Sequence, residues 1–182
     1  MAVLLASVVL AALALHGWAL GPYRAHLLWS CHFASAIIAL GLLAANARAV
    51  AAGFLFHLAI GFPAWLVEEI LTWPDVMPTS VLVHTFPPLA AFLYLRRSGL
   101  PRGIVVPAWA IYILPIPLAR WLTPPELNVN LAHSVWPGFR GIVSSAWTFQ
   151  LIAIPVALAL LFLADAILRR IFRGQWAVAS GQ

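Results

Sequence analysis

Cys31 and His32, adjacent in LLWSCHFAS, put a thiol and an imidazole inside an otherwise apolar stretch. His84, in SVLVHTF, opens a later apolar stretch in much the same way. Polar, titratable groups at membrane depth are costly, so their convergence marks a site by default. Adjacent helical residues point in different directions, so Cys31 and His32 cannot form a face-to-face pair. A base for Cys31 must come from another helix, and His84 matches it in depth. An imidazole within hydrogen-bond reach would take the thiol proton, leaving sulfur to attack an acyl carbonyl. His32 or Asn128 would then orient the base or stabilise the oxyanion.

The elements that position these groups follow from composition. The 182 residues are 64% apolar and 8% charged, with a mean hydropathy of +0.98. A soluble domain of this length cannot bury so much apolar surface, so lipid is the expected solvent. Continuous rather than alternating apolar runs argue for helices and against a membrane barrel. Six segments suit spanning helices: Ala2–Leu20, Leu27–Ala45, Ala49–Leu71, Thr79–Leu95, Gly103–Leu122 and Ser145–Leu168. Gly21-Pro22, Asn46 with Arg48, Pro74 with Pro78, Ser98-Gly99 with Pro101, and Pro124-Pro125 separate them. The expected fold is a single all-α polytopic membrane domain over 1–182. No basic region precedes the first apolar run and no small-residue cleavage motif follows it, so it reads as a retained helix.

Arginine placement gives a direction. With a cytoplasmic N-terminus, Arg48, Arg96, Arg97, Arg102, Arg169, Arg170 and Arg173 fall inside, and only Arg24, Arg120 and Arg140 outside. Both termini are therefore expected in the cytoplasm, with a bacterial inner membrane as the setting. Trp18, Trp29, Trp73, Trp121, Trp136 and Trp147 then gather at the outer boundary, with Glu68, Glu69, Asp75 and Glu126 on the same side. The prolines at 87, 88, 107, 115 and 117 should kink spans four and five. The expected partners are membrane lipids and other membrane subunits. Nothing here suggests nucleic acid, because the arginines are scattered between apolar runs.

The C-H pair of span two, His84 on span four and the segment N-V-N-L-A-H before span six resemble a family of small six-helix membrane proteins. The family comprises bacterial YwaF-type proteins and eukaryotic Cys/His transmembrane phospholipid acyltransferases. The resemblance covers about Leu27 to Leu168. It implies that Cys31 accepts an acyl chain with help from His84. Bacterial members often carry N-Y-M-x-L before the last helix; Asn128-Val129-Asn130-Leu131 matches only the first asparagine, and the family tyrosine is missing.

The sequence thus predicts a membrane acyltransferase or lipid hydrolase without a cofactor, with Cys31, His84, His32 and Asn128 at its site. Two other readings stand beside it. One is a haem- or metal-binding redox subunit, with His57, His133 and Glu69 joining His32 and His84 as ligands. The other is a non-catalytic structural subunit of a larger membrane complex.

Overall fold

The computed structural model describes residues 1–72, 74 and 76–179, without the side chains at 72, 137 and 173–179. The expected placements of Trp73, Asp75 and the Arg173 side chain lie outside the described residues. The described chain is all-helical, without strands. Its helices are α1 (Ala2–Ala19), α2 (Ser30–Leu43), α3 (Ala47–Phe56), α4 (Phe62–Thr72), α5 (Pro78–Ser98), α6 (Val105–Ile113), α7 (Pro115–Leu122) and α8 (Ala146–Ala179).

Four stretches are long and apolar enough to cross a membrane: Ala2–Ala19, Ala47–Leu71, Val105–Leu122 and Ala146–Phe172. A fifth arises if the bent pair Gly21–Leu28 and Ser30–Leu43 counts as one span. The expected helix from Leu27 does not run straight. Gly21–Leu28 forms 3₁₀ turns, and the chain bends by 76° before α2 starts at Ser30. Trp29 is extended at the corner. Alone, the 14 residues of α2 rise about 21 Å, short of the roughly 30 Å hydrocarbon layer. Helix α5 is 21 residues long, but His84, Thr85, Pro87, Pro88, Arg96 and Arg97 dilute its apolar character.

Proline shapes three of the rods differently. Pro63 follows a π turn, His57–Gly61, in which the Phe62 N–H reaches back five residues to the His57 carbonyl. The wider turn places the proline, which cannot donate, without breaking the rod joining α3 to α4. Pro115 interrupts the fifth expected span, separating α6 from α7. Pro87 and Pro88 leave α5 continuous. A proline at 87 deprives the Val83 carbonyl of its helical donor. The Ser35 hydroxyl of α2 lies 3.4 Å from that oxygen.

The core forms where α2, α3, α5 and α6 meet, around Ile38, Leu42, Leu55, Phe56, Leu95 and Ile104. Small side chains let α2 and α3 approach closely, as helices do where lipid supplies no hydrophobic drive. A Cβ built on Gly53 would lie 2.6 Å from Ile38 Cγ1 and 2.8 Å from the Ala34 carbonyl oxygen. One on Gly41 would meet the Val50 backbone nitrogen at 3.0 Å. Helix α8 flanks this core, burying Gln150, Ala157, Leu161, Leu168 and Phe172 while leaving most of its apolar surface exposed.

The close approach is testable. Gly53→Ala should lower the thermal midpoint in detergent by an amount equivalent to about 1–3 kcal/mol, because the Ala34 backbone cannot yield as a side chain would. Gly141→Ala, where a Cβ meets nothing within 4 Å, should leave the midpoint unchanged. Equal midpoints for both variants would contradict the α2–α3 packing.

Candidate functional site

One end of the bundle holds the last turns of α1 and α7 and the first turns of α2, α5 and α8. The chain between α7 and α8 folds over this end and into it. Asn128, Asn130 and Leu131 all adopt positive φ, at 43°, 56° and 53°. Asparagine tolerates this region, whereas leucine does so at a cost that surrounding bonds must offset. Asn130 supplies much of that support. Its Oδ1 accepts from the Ser30 N–H at 2.8 Å and the Ser30 hydroxyl at 3.0 Å. Its Nδ2 donates to the Leu28 carbonyl at 2.8 Å and the Pro115 carbonyl at 3.3 Å. Gln150 of α8 donates to the carbonyls of Asn130 and Leu131. This amide therefore fixes the corner at which α2 begins, one residue before Cys31.

Asn128 is engaged elsewhere. Its Oδ1 accepts from the His133 and Ser134 N–H groups, and its Nδ2 donates to the Ser134 carbonyl. Its amide shapes its own loop, so its described bonds do not serve an oxyanion.

Beneath the corner, donor atoms of Cys31, His32 and His84 lie within 4.8 Å of one another. The two imidazoles are buried and the cysteine is half-buried. Four histidine rings form a chain here. Ring centroids are 5.0 Å apart for His16 and His32, 5.8 Å for His32 and His84, and 6.3 Å for His84 and His57. Their hydrogen bonds settle where protons reside. His32 Nδ1 lies 2.9 Å from the His26 carbonyl oxygen, and His84 Nδ1 lies 2.8 Å from that of Ser80. A carbonyl only accepts, so each Nδ1 donates, and each neutral ring carries its lone pair on Nε2. That suits His84 to receive a thiol proton. It denies neutral His32 an Nε2–H with which to stabilise an oxyanion. His32 Nε2 is buried and has no hydrogen-bond partner.

His57 has the opposite polarity. The Ser35 hydroxyl donates to the Cys31 carbonyl at 2.9 Å, leaving its oxygen to accept from His57 Nε2 at 3.0 Å. His57 Nδ1 is then a buried lone pair without a partner. Trp65 stacks on the face of His84, centroids 4.8 Å apart and planes 7° from parallel. Its indole N–H approaches Glu69 Oε1 at 2.6 Å and the Ser80 hydroxyl at 2.8 Å. Ser80 donates to the same carboxylate oxygen at 3.0 Å. Glu69 thus braces the turn whose carbonyl orients His84.

The structure does not assemble His57, His133 and Glu69 as a metal set. Glu69 is bonded to Trp65 and Ser80, while His133 lies in the loop between α7 and α8. Among the described residues, the three-donor group suited to a metal is Cys31, His32 and His84. Sequence reasoning missed His26, Ser35, Trp65 and Ser80, which orient the histidines through backbone carbonyls, a hydroxyl or a ring face. No residue spacing advertises such contacts.

Comparison with protein-family models, curated proteins and solved structures finds no match for this chain. The class defined by the structure is a helical protein with several helices of membrane-crossing length and a thiol–imidazole group at one end.

The proton positions make a spectroscopic prediction. In detergent at neutral pH, ¹⁵N spectra of histidine-labelled protein should show His32 and His84 protonated on Nδ1 and His57 on Nε2. An Nε2-protonated His84 would remove its capacity to accept the thiol proton in this geometry. Asn130→Ala should lower stability by about 1–3 kcal/mol, because buried amide and carbonyl groups lose their partners, and thermal unfolding would measure it.

Proposed function

We propose that the chain is an integral membrane acyltransferase or lipid hydrolase acting on acyl esters through a Cys31 thioester. In this reading six spans cross a bacterial inner membrane with both termini cytoplasmic, and membrane lipids are its partners. The observation carrying it is the approach of Cys31 Sγ and the His32 and His84 nitrogens to within 4.8 Å of one another. The resemblance of the C-H pair and His84 to the YwaF-type and transmembrane acyltransferase family points the same way.

The chemistry balances with these groups alone. His84 Nε2 takes the Cys31 proton as sulfur adds to the carbonyl carbon of an ester. The ester C–O bond breaks, and the imidazolium returns the proton to the departing alkoxide. Water or an acceptor hydroxyl then gives a proton to imidazole and attacks the thioester, restoring the thiol. His32 Nε2 offers a second lone pair for this incoming hydroxyl. Apolar surroundings favour a neutral thiol–imidazole resting pair over separated charges. Ser80 and Trp65 hold His84 in place, as the third group does in other nucleophile–base pairs. Asn128 takes no part.

One observation favours a second reading. Both His32 and His84 are fixed by Nδ1–H bonds to carbonyls, the arrangement that commonly orients metal-binding imidazoles. One thiolate and two imidazoles would suit zinc or cuprous copper.

Detergent-purified protein incubated with acyl-labelled phospholipid should form a hydroxylamine-sensitive adduct on Cys31. Cys31→Ala should abolish it, and His84→Ala should slow its formation by at least about 100-fold. Full labelling of both variants would overturn the thiol mechanism. Near-stoichiometric zinc or copper, lost in both variants and accompanied by no adduct, would select the metal reading.

A further inference from the structure

A second polar feature lies at the same end, in the loop fixed by Asn128 and Asn130. A cavity of about 390 Å³ opens between α7, this loop and the start of α8, lined among others by Arg120, His133, Arg140, Ser144, Ser145 and Trp147. Its lining contains two guanidinium groups and no carboxylate. Arg120 donates through one Nη to the Ala132 carbonyl at 2.6 Å, and its guanidinium carbon lies 5.1 Å from the Trp147 ring centroid. Arg140 uses Nε on the Val135 carbonyl at 3.4 Å. A guanidinium carries five N–H donors, so these bonds orient both groups while leaving most donors available.

A further feature points to an anion: helix α8 starts here. The Ser145 hydroxyl accepts the Thr148 N–H at 3.1 Å, while Ala146 and Trp147 of the first turn line the cavity. The first turn of a 34-residue helix presents unpaired N–H groups and the positive end of the helix dipole. Two arginines and this helix start meet at a cavity whose lining holds no acid.

We propose that this cavity binds a phosphate group, and that its donor is the phosphodiester of a phospholipid head. Three exposed tryptophans, Trp18, Trp121 and Trp147, ring the same end at 74%, 89% and 60% exposure. Aromatic belts of this kind sit at headgroup depth. The phosphate site and the Cys31 group are also mechanically joined, because Asn130 ties their loop to Ser30. A lipid held by its phosphate would present its glycerol esters near the thiol end of the bundle. This rests on the acyl-ester reading and adds to it a headgroup site for the lipid, yet phosphate binding itself needs no thiol.

The test uses full-length protein in a non-ionic detergent. Thermal midpoints and native mass spectra are recorded with phosphatidylglycerol, with diacylglycerol of the same chains, and with inorganic phosphate. Phosphatidylglycerol should raise the midpoint and be retained in the gas phase, while diacylglycerol should do neither. Stabilisation by inorganic phosphate at equal concentration would assign the site to a soluble phosphate and overturn the lipid source. Arg140→Gln and Arg120→Gln should each weaken lipid retention at least about tenfold. Arg140→Gln keeps the test decisive should loss of the Arg120–Ala132 bond unfold the loop. Equal retention by diacylglycerol, or by Arg140→Gln, would overturn the proposal. Cys31→Ala should bind phosphatidylglycerol like the parent, so failure of the thiol chemistry and failure of this site give different results.

Discussion

The buried amide of Asn130 is the constraint on which the site end of this protein depends. A chain that bends by 76° at the head of a helix exposes backbone groups that an apolar medium cannot satisfy. Asn130 meets three of them at once, the Ser30 N–H and the Leu28 and Pro115 carbonyls. Gln150 completes the arrangement from α8 by satisfying the carbonyls of Asn130 and Leu131. Helices that are distant in sequence are thereby held at one point. Cys31 is placed relative to α5 because its helix has a fixed start.

The histidines show a related economy. His32 and His84 each direct one nitrogen to a main-chain oxygen, which leaves the other nitrogen with a defined lone pair. His57 is set the other way by Ser35, whose hydroxyl is itself aimed by the Cys31 carbonyl. Buried polar atoms without partners are uncommon, because each forfeits its hydration. The unpartnered Nε2 of His32 and Nδ1 of His57 lie within one small cluster. That concentration distinguishes the cluster from ordinary packing, in which a lone histidine bonds a neighbour and is satisfied.

Much of the architecture was legible from apolar run length, because a helix in lipid needs little besides length and hydropathy to declare itself. The runs at Ala2–Leu20, Ala49–Leu71, Gly103–Leu122 and Ser145–Leu168 correspond to stretches of crossing length. Depth alone made His84 a candidate partner for Cys31, and the structure puts their donor atoms within 4.8 Å. What remained hidden depended on hydrogen bonding. Nothing in the Trp29 side chain marks the corner. Asn128 and Asn130 look interchangeable in NVNLA, yet the first organises its own loop and the second reaches into the bundle. Two prolines in α5 do not end the helix, which runs on to Ser98.

The π turn after His57 alters the phase of everything that follows it along its rod. An α-helix advances each residue by about 100° around its axis, so one additional residue in a turn rotates all later side chains by that angle. Trp65 meets the face of His84, and Glu69 meets Ser80, in the shifted phase. The same sequence wound as an uninterrupted helix would carry the indole and the carboxylate about 100° around the axis from these positions. The π turn thus acts as an angular spacer that sets which face of α4 meets α5.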